Sequence, residues 1–363
     1  MHLLAISTLF TLLTTIPFFF VIVNSLTMRE IKGQCAQEIN LSISILIPMR
    51  NEERNVSEVI AAVTTQEQIS NNEIIVLDDN STDSTKELLA RYTNIRVLDG
   101  AELPQGWLGK NYACHQLVAH SSGELLVFLD ADVRIAPQAV AAAIVSMESW
   151  GWDFISPYPR QDATTFVERL IQPLLQWSWL SSVPLRFAEN TQFTSMVIAN
   201  GQFFIVRKDA YLSSGGHKEI RSEVLDDLEL ARLLVKNGFK GGVANGSSIA
   251  QCRMYNSASE LADGYTKSLW RAFGGVAGTI VVALYLTLTG IAPLVLALSG
   301  FPIAWLGYFL IVGSRLIAGV KVKSTLSSAL LHPLSIVVLL LLTIRSWIFK
   351  SRGTLTWRGR KVA

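Results

Sequence analysis

Three stretches of this chain lack any Asp, Glu, Lys or Arg over lengths that a water-soluble fold rarely tolerates. "LLAISTLFTLLTTIPFFFVIV" (3–23) is as long as a helix needs to be to span a bilayer core. "VAGTIVVALYLTLTGIAPLVLALSGFPIAWLGYFLIVG" (276–313) has room for two crossings hinged near Ser299-Gly300-Phe301-Pro302. "LSSALLHPLSIVVLLLLTI" (326–344) precedes a basic tail. Between these blocks, residues 40–275 alternate apolar and polar segments as a globular domain does. Only 17% of the 363 residues are charged, against about a quarter in soluble domains. The division expected is an N-terminal anchor (1–28), a water-exposed domain (40–275), a C-terminal membrane region (276–349) and a basic tail (350–363).

The first segment has no basic stretch before it, its apolar core is long for a cleaved leader, and Arg29 and Lys32 follow it. An uncleaved anchor fits better, with those cations on the cytoplasmic side. The chain then reads as a multi-pass membrane protein whose domain faces the cytoplasm. A complete fourth crossing would put "KSRGTLTWRGRKVA" (350–363) outside, against the positive-inside tendency. A re-entrant turn around His332-Pro333 would bring it back, because proline interrupts a helix. The net charge of +2 excludes an electrostatic case for nucleic acid. Cys35, Cys114 and Cys252 are too few and too far apart for a disulfide framework or a zinc site.

Within the domain, "LSISILIPMRNEERN" (41–55), "EIIVLDDNSTDST" (73–85), "IRVLDG" (95–100) and "ELLVFLDADVRI" (124–135) each begin as an apolar strand and most leave through polar or acidic residues. Helical patterns separate them, including "NYACHQLVAHSS" (111–122). Strands alternating with helices predict an α/β domain with a mostly parallel sheet. Ligands on such sheets bind beyond the carboxyl ends of the strands. Arg50-Asn51-Glu52-Glu53, Asp78-Asp79 and Asp130-Ala131-Asp132 therefore share one rim.

Asp130 and Asp132, at the exit of a buried strand, are spaced to face one hard divalent cation, which takes oxygen ligands and shares them with phosphate. The same Asp-x-Asp pattern is common at solvated turns. No Walker-type loop and no GxGxxG follow the first strand, which removes the main signatures of kinases and Rossmann dehydrogenases. Asp226-Asp227 opens a helical pattern ("DDLELARLLVK"). Such acids serve either as favourable helix N-terminal charges or as a general base with a raised pKa.

The ordered set "ISILIPMRNEERN", "IIVLDDNSTDST", "GWLGKNYA", "LLVFLDADVRI", "GGH" and "DDLELARLL" resembles the inverting family 2 glycosyltransferases of GT-A fold. "GWLGKNYAC", "RMY" (253–255), His332-Pro333 and "WRGRK" (357–361) make the likeness closest to membrane-anchored members acting on polyisoprenoid or hopanoid-type lipids, such as the diaponeurosporenoate glycosyltransferases. The resemblance implies that Asp78 and Asp79 contact the nucleotide, and that Asp130 and Asp132 bind Mg2+ or Mn2+ with the nucleotide-sugar diphosphate. It makes Asp227 the catalytic base, with Asp226 in place of the usual glutamate. Where related enzymes have Gln/Arg-x-x-Arg-Trp, this chain has "KSLWRAFGG" (267–275), with Trp270 and Arg271 in reversed order. Arg271 is still a cation available to a departing diphosphate. Lys110 reads either as a diphosphate contact or as a solvated turn lysine.

One more segment needs a place. "FVERLIQPLLQWSWLSSVPLRF" (166–187) is either a core helix of the domain or an interfacial helix with its tryptophans at headgroup depth. The second reading suits a domain flanked by apolar segments, and it would let an apolar acceptor enter from the bilayer. The function expected is transfer of one sugar, from a UDP-hexose-like donor to a membrane lipid. The alternatives are a processive polysaccharide synthase and a non-catalytic membrane scaffold.

Overall fold

The computed structural model describes residues 2–35 and 37–362. The chain opens with α1 (His2–Thr27) and then alternates through β1 (Ile43–Met49), α2 (Val56–Thr64), β2 (Asn72–Asp78), α3 (Thr85–Leu89), β3 (Arg96–Asp99), α4 (Gly109–Ala119) and β4 (Leu125–Leu129). Next come β5 (Val133–Ile135), α5 (Ala139–Ser149), β6 (Phe154–Tyr158), β7 (Arg160–Gln161), α6 (Phe166–Leu180) and α7 (Leu185–Ala188). β8 (Phe203–Arg207), α8 (Lys208–Ser214), α9 (Gly216–Glu219), α10 (Asp226–Lys236), β9 (Gly241–Asn245) and β10 (Ala250–Cys252) follow. The remainder is helical apart from a terminal hairpin: α11 (Ala258–Ala272), α12 (Val276–Leu286), α13 (Ala292–Leu298), α14 (Ile303–Lys321), α15 (His332–Ser351), then β11 (Thr356–Trp357) and β12 (Arg360–Lys361).

These elements form two compact units. One comprises Arg29–Arg160 and Ala188–Arg253; the other comprises Met1–Met28, Gln161–Phe187 and Met254–Ala363. The first is an α/β unit around a seven-stranded sheet of order β3-β2-β1-β4-β8-β6-β9. β1 pairs in parallel with β2 and β4, and β2 with β3, as the alternating pattern predicts. β8 alone runs against its neighbours β4 and β6. β4 is buried along its whole length, so each of its side chains contributes roughly 1.5–3 kcal/mol of burial. One sheet face packs Leu46, Leu126, Phe128 and Phe204 against Leu117 of α4 and Leu230, Ala231 and Leu234 of α10. The order reverses at β1 and β4, where chain-order neighbours lie on opposite sides, and that is where an open α/β sheet leaves a crevice.

The second unit is a bundle of apolar helices, four of them long and apolar enough to cross a membrane: Leu4–Thr27, Val276–Leu298, Ile303–Lys321 and Ala329–Ser351. The second bends through a π-helical turn at Thr287–Ile291. Contacts within the bundle fix the directions of these helices. Thr11 Oγ1 donates to the Ile303 carbonyl (3.2 Å), and Phe18 lies against Gly313, so α1 and α14 run parallel. Trp347 bonds Thr279 at 3.2 Å, while Gly290 lies beside His332 and Ile336, so α15 runs antiparallel to α12 and α13. α14 follows α13 through a tight turn at 299–302, which makes α14 and α15 parallel. The connector 322–331 must therefore climb back along α14. Tyr308 Oη, near the start of α14, bonds the Leu330 carbonyl at 2.7 Å and marks how far the connector returns.

The return expected at His332-Pro333 thus takes place one segment earlier. Pro333 lies in the first turn of α15 and leaves that helix unbroken, because a first-turn proline lacks only an N–H with no intrahelical partner. Placing 166–187 with the globular domain also needs correction, since α6 packs within the helical unit. Trp177 is 2% exposed and donates from Nε1 to Ser314 Oγ (2.9 Å), and Trp179 is 7% exposed. Neither tryptophan lies on an open surface. The loop after α6 is held by Asn24 of α1, whose amide bonds the carbonyls of Leu180 and Val183. Arg315, 3% exposed in the middle of α14, bonds the Leu170 carbonyl and Ser328 Oγ.

Candidate active site

At the carboxyl ends of β1 and β2 the backbone turns sharply and the two exit loops lock together. Asn51 and Asn80 both take left-handed conformations (φ 54° and 55°), which asparagine tolerates better than most residues. Asn51 Oδ1 accepts from the Thr82 N–H (2.8 Å), and Arg50 Nη1 donates to the carbonyls of Asp79 (2.5 Å) and Asn80 (2.9 Å). Asp78 and Asp79 are buried in this corner at 3% and 4% exposure.

One strand over, β4 ends at Asp130, whose N–H donates to the Gln202 carbonyl ahead of β8 (3.0 Å). α4 begins at Gly109 and carries Lys110 in its first turn. The helix start is held by Leu108 N–H to the Arg221 carbonyl (2.8 Å) and by Asn111 Nδ2 to the Ile220 carbonyl (2.7 Å). Lys110 Nζ consequently stands between two acids, 2.9 Å from Asp130 and 3.3 Å from Asp226. Burial acts against the ammonium, but Asp130 and Asp226 overcome it and hold its pKa well above the ordinary lysine value.

Asp227 occupies the first turn of α10. Its two oxygens accept from the N–H groups of Gly201 (Oδ2, 2.7 Å) and Leu228 (Oδ1, 2.7 Å), which fixes the plane of the carboxylate. A Cβ on Gly201 would come within 2.9 Å of Asp227 Cβ, so the approach needs glycine at 201. Burial, then the charge of Asp226, push the Asp227 carboxyl up to about 6, while Lys110 and the two N–H donors partly oppose them. A carboxyl in that range can exchange a proton near neutral pH.

Asp132 is short of positive charge. Burial, followed by the nearby charges of Asp130 and Glu52, raises its pKa to about 7. Its Oδ1 is buried without a hydrogen-bond partner among the described residues. The other support is the Cys252 thiol, which bonds Asp132 and accepts from Gln202 Nε2 (2.9 Å). A divalent cation would meet both deficits, so the residues present fit one. Among the described residues no three His, Cys, Asp or Glu side chains gather as a ready-made cage. The fit is to a metal held by two carboxylates that takes its other oxygens from a bound phosphate or water.

Asp130, Lys110, Asp226 and Asp227 thus line one cleft, together with Gly201 and His217. Asp78 and Asp79 lie at the exit of β2, on the same edge of the sheet. Arg271 is on α11, in the helical unit. Gly201, Gln202 and Cys252 had not been singled out for the site. A glycine just before the buried run "FFIV" is the one signal that could have pointed to Gly201.

Residues 44–213 match the sequence family described as Glycosyl transferase family 2. Two 4,4'-diaponeurosporenoate glycosyltransferases of Staphylococcus aureus, from strains MRSA252 and bovine RF122 / ET3-1, are each 26% identical to this chain, covering 92% of it and 91% of their own length. The fold is similar to that of the mannosyltransferase PcManGT from Pyrobaculum calidifontis, solved in complex with GDP-Man and Mn2+, at 16% identity and a TM-score of 0.58; the match covers 96% of this chain and 99% of that one. Residues 44–213 therefore resemble a glycosyl transferase family 2 domain, and the fold is GT-A-like.

Proposed function

We propose that this chain transfers a single sugar, with inversion, from a nucleotide-diphosphate sugar to an apolar acceptor in the membrane. The observation that carries this reading is the Asp227 carboxylate, aimed by Gly201 and Leu228 and raised to about 6, in the same cleft as Asp130. Asp227 takes the proton from the acceptor hydroxyl as its oxygen attacks the anomeric carbon. The nucleoside diphosphate leaves from the opposite face. Asp78 and Asp79 hold the nucleotide, and Lys110 offers positive charge to the departing diphosphate. Asp130 and Asp132 would hold Mg2+ or Mn2+, which when bound supplies Lewis-acid neutralisation of the diphosphate. The named acceptor of the S. aureus relatives and the four apolar helices support a lipid acceptor and a multi-pass membrane protein. The parallel course of α1, α14 and α15 supports a cytoplasmic placement, because it brings the C-terminal ends of these helices and the cationic tail to one side, as the positive-inside tendency favours. The domain limits at 1–28, 40–275, 276–349 and 350–363 belong to the same reading, with 166–187 reassigned.

The test is hydrolysis and transfer by the purified full chain, using UDP-glucose and GDP-mannose with and without EDTA. Asp130→Ala and Asp132→Ala are expected to abolish transfer and weaken nucleotide binding together. Activity that survives both EDTA and either substitution removes the metal role.

A further inference from the structure

The cleft contains a buried imidazole that the proposed reaction leaves without a task. His217 is 3% exposed and lines the cleft with Asp226, Asp227 and Lys110. Its position follows from the sequence "YLSSGGHKE". Gly215 and Gly216 take φ values of +88° and +55°, folding the chain back onto the Tyr211 ring. A Cβ at Gly216 would lie 2.3 Å from that ring, so no other residue fits there without displacing it. The fold-back puts two atoms of His217 on one oxygen: the backbone N is 3.0 Å from Tyr211 Oη, and Nδ1 is 2.9 Å from it.

These two contacts favour one placement of the imidazole proton, because it pairs every N–H and O–H involved. A backbone N–H can only donate, so Tyr211 Oη accepts from it. The single phenolic proton then goes to Nδ1, which must be unprotonated to receive it. The ring proton is therefore on Nε2. Burial lowers the His217 pKa to about 4, which keeps the ring neutral and agrees with that tautomer. Phe128 (5.2 Å, edge-on) and Tyr211 (5.6 Å) pack against the ring and fix its orientation. Nε2 makes no hydrogen bond to any described residue. Of the charges around the ring, Asp226 acts on it most strongly.

We infer that His217 Nε2–H and the Asp226 carboxylate together bind one hydroxyl group of the transferred sugar, making His217 a specificity-determining residue. A hydroxyl both donates and accepts, and a fixed neutral N–H beside a carboxylate is its complement. A phosphate only accepts, so it would take the Nε2–H but bring no proton for Asp226. The inference rests on the nucleotide-sugar reading given above. A site built to bond a particular hydroxyl discriminates strongly against the analogue that lacks it, because its own buried groups are left unpaired.

The experiment uses the full chain in detergent, with UDP-glucose and GDP-mannose as donors and the 2-, 3-, 4- and 6-deoxy analogue of each. In the unaltered protein, one deoxy analogue is expected to lose at least ~10-fold in kcat/KM relative to its parent. His217→Phe should lower that ratio several-fold, leaving only the part that Asp226 supplies. His217→Gln, whose amide can put an N–H where Nε2 stood, should restore it; His217→Asn, whose amide is at the Nδ1 position, should not. The ratio does not depend on how much variant is folded, and the Gln and Asn pair answers the question if the Phe variant fails to fold. Unchanged ratios in the Phe or Asn variant overturn the inference. If the unaltered protein uses no nucleotide sugar, the reading beneath it falls instead.

Discussion

At the scale of single residues, Asp227 and Gly201 make the sharpest claims. Asp227→Asn is expected to lower turnover by ~100-fold or more, the usual scale of general-base loss, with donor binding nearly unchanged. The pH profile carries the sign. Because burial and Asp226 raise this carboxyl to about 6, its basic form is lost as pH falls through that value. The kcat/KM of the unaltered enzyme should decline on the acid side of about pH 6, and the Asn variant should lack that limb. A more damaging Asp226→Asn would move the base by one residue. Gly201→Ala, which forces a methyl against Asp227 Cβ, should cut kcat by ~10-fold or more while KM for the donor stays close to normal, since small misplacements of catalytic groups are expensive. The acids were legible in the sequence because each lies just beyond a buried strand or opens an amphipathic helix. Their supports were not. The Gly201 N–H, the Cys252 thiol and the Tyr211 hydroxyl reach their partners from 26, 120 and 6 residues away, and no local pattern marks those pairings.

Among the elements, α6 and the connector 322–331 show how local pattern and long-range packing part company. The segment 166–187 has the amphipathic spacing of a surface helix, and its tryptophans suggested a membrane interface. The partners that bury Trp177, Ser314 on α14 and His332 on α15, come from far along the chain, which a local reading cannot anticipate. Trp177→Glu should therefore lower thermal stability and the yield of folded protein, where an interfacial tryptophan would have tolerated the change. Trp177→Phe should cost about 1 kcal/mol for the lost bond to Ser314. Differential scanning of both variants in one detergent checks the pair. The parallel course of α14 and α15 gives a second expectation. Single cysteines at Lys321 and Lys361, in a background lacking the native three, should react with a membrane-impermeant thiol reagent from the same side of sealed vesicles. A cysteine at Gly300 should react from the other side. Labelling of 321 and 361 from opposite sides would show a full crossing by α15. The first four strands, in contrast, were readable one by one. Their order was only partly so, because the antiparallel β8 enters between β4 and β6 with nothing in its own residues to announce it.

For the whole molecule, the helical unit is assembled from three separate pieces of chain, and this bears on how the protein is made. A ribosome extends the chain at roughly 5–20 residues per second, so α1 has been made for on the order of tens of seconds before α12 emerges. During that wait Thr11 lacks the Ile303 carbonyl, and Asn24 lacks its bonds to Leu180, Val183 and Leu185 until those residues have been synthesised. The first helix must hold its place by apolar character alone. Chains released after residue 275 should insert through α1 yet stay sensitive to protease within 161–187, since α14 and α15 are missing. Full-length chains should gain protection there only after release. Pulse-labelled chains, digested at successive times of synthesis, would display that order directly. A late-arriving α14, with Ser314 for Trp177 and Arg315 for the Leu170 carbonyl, makes the final stretch of translation the moment at which the helical unit acquires its shape.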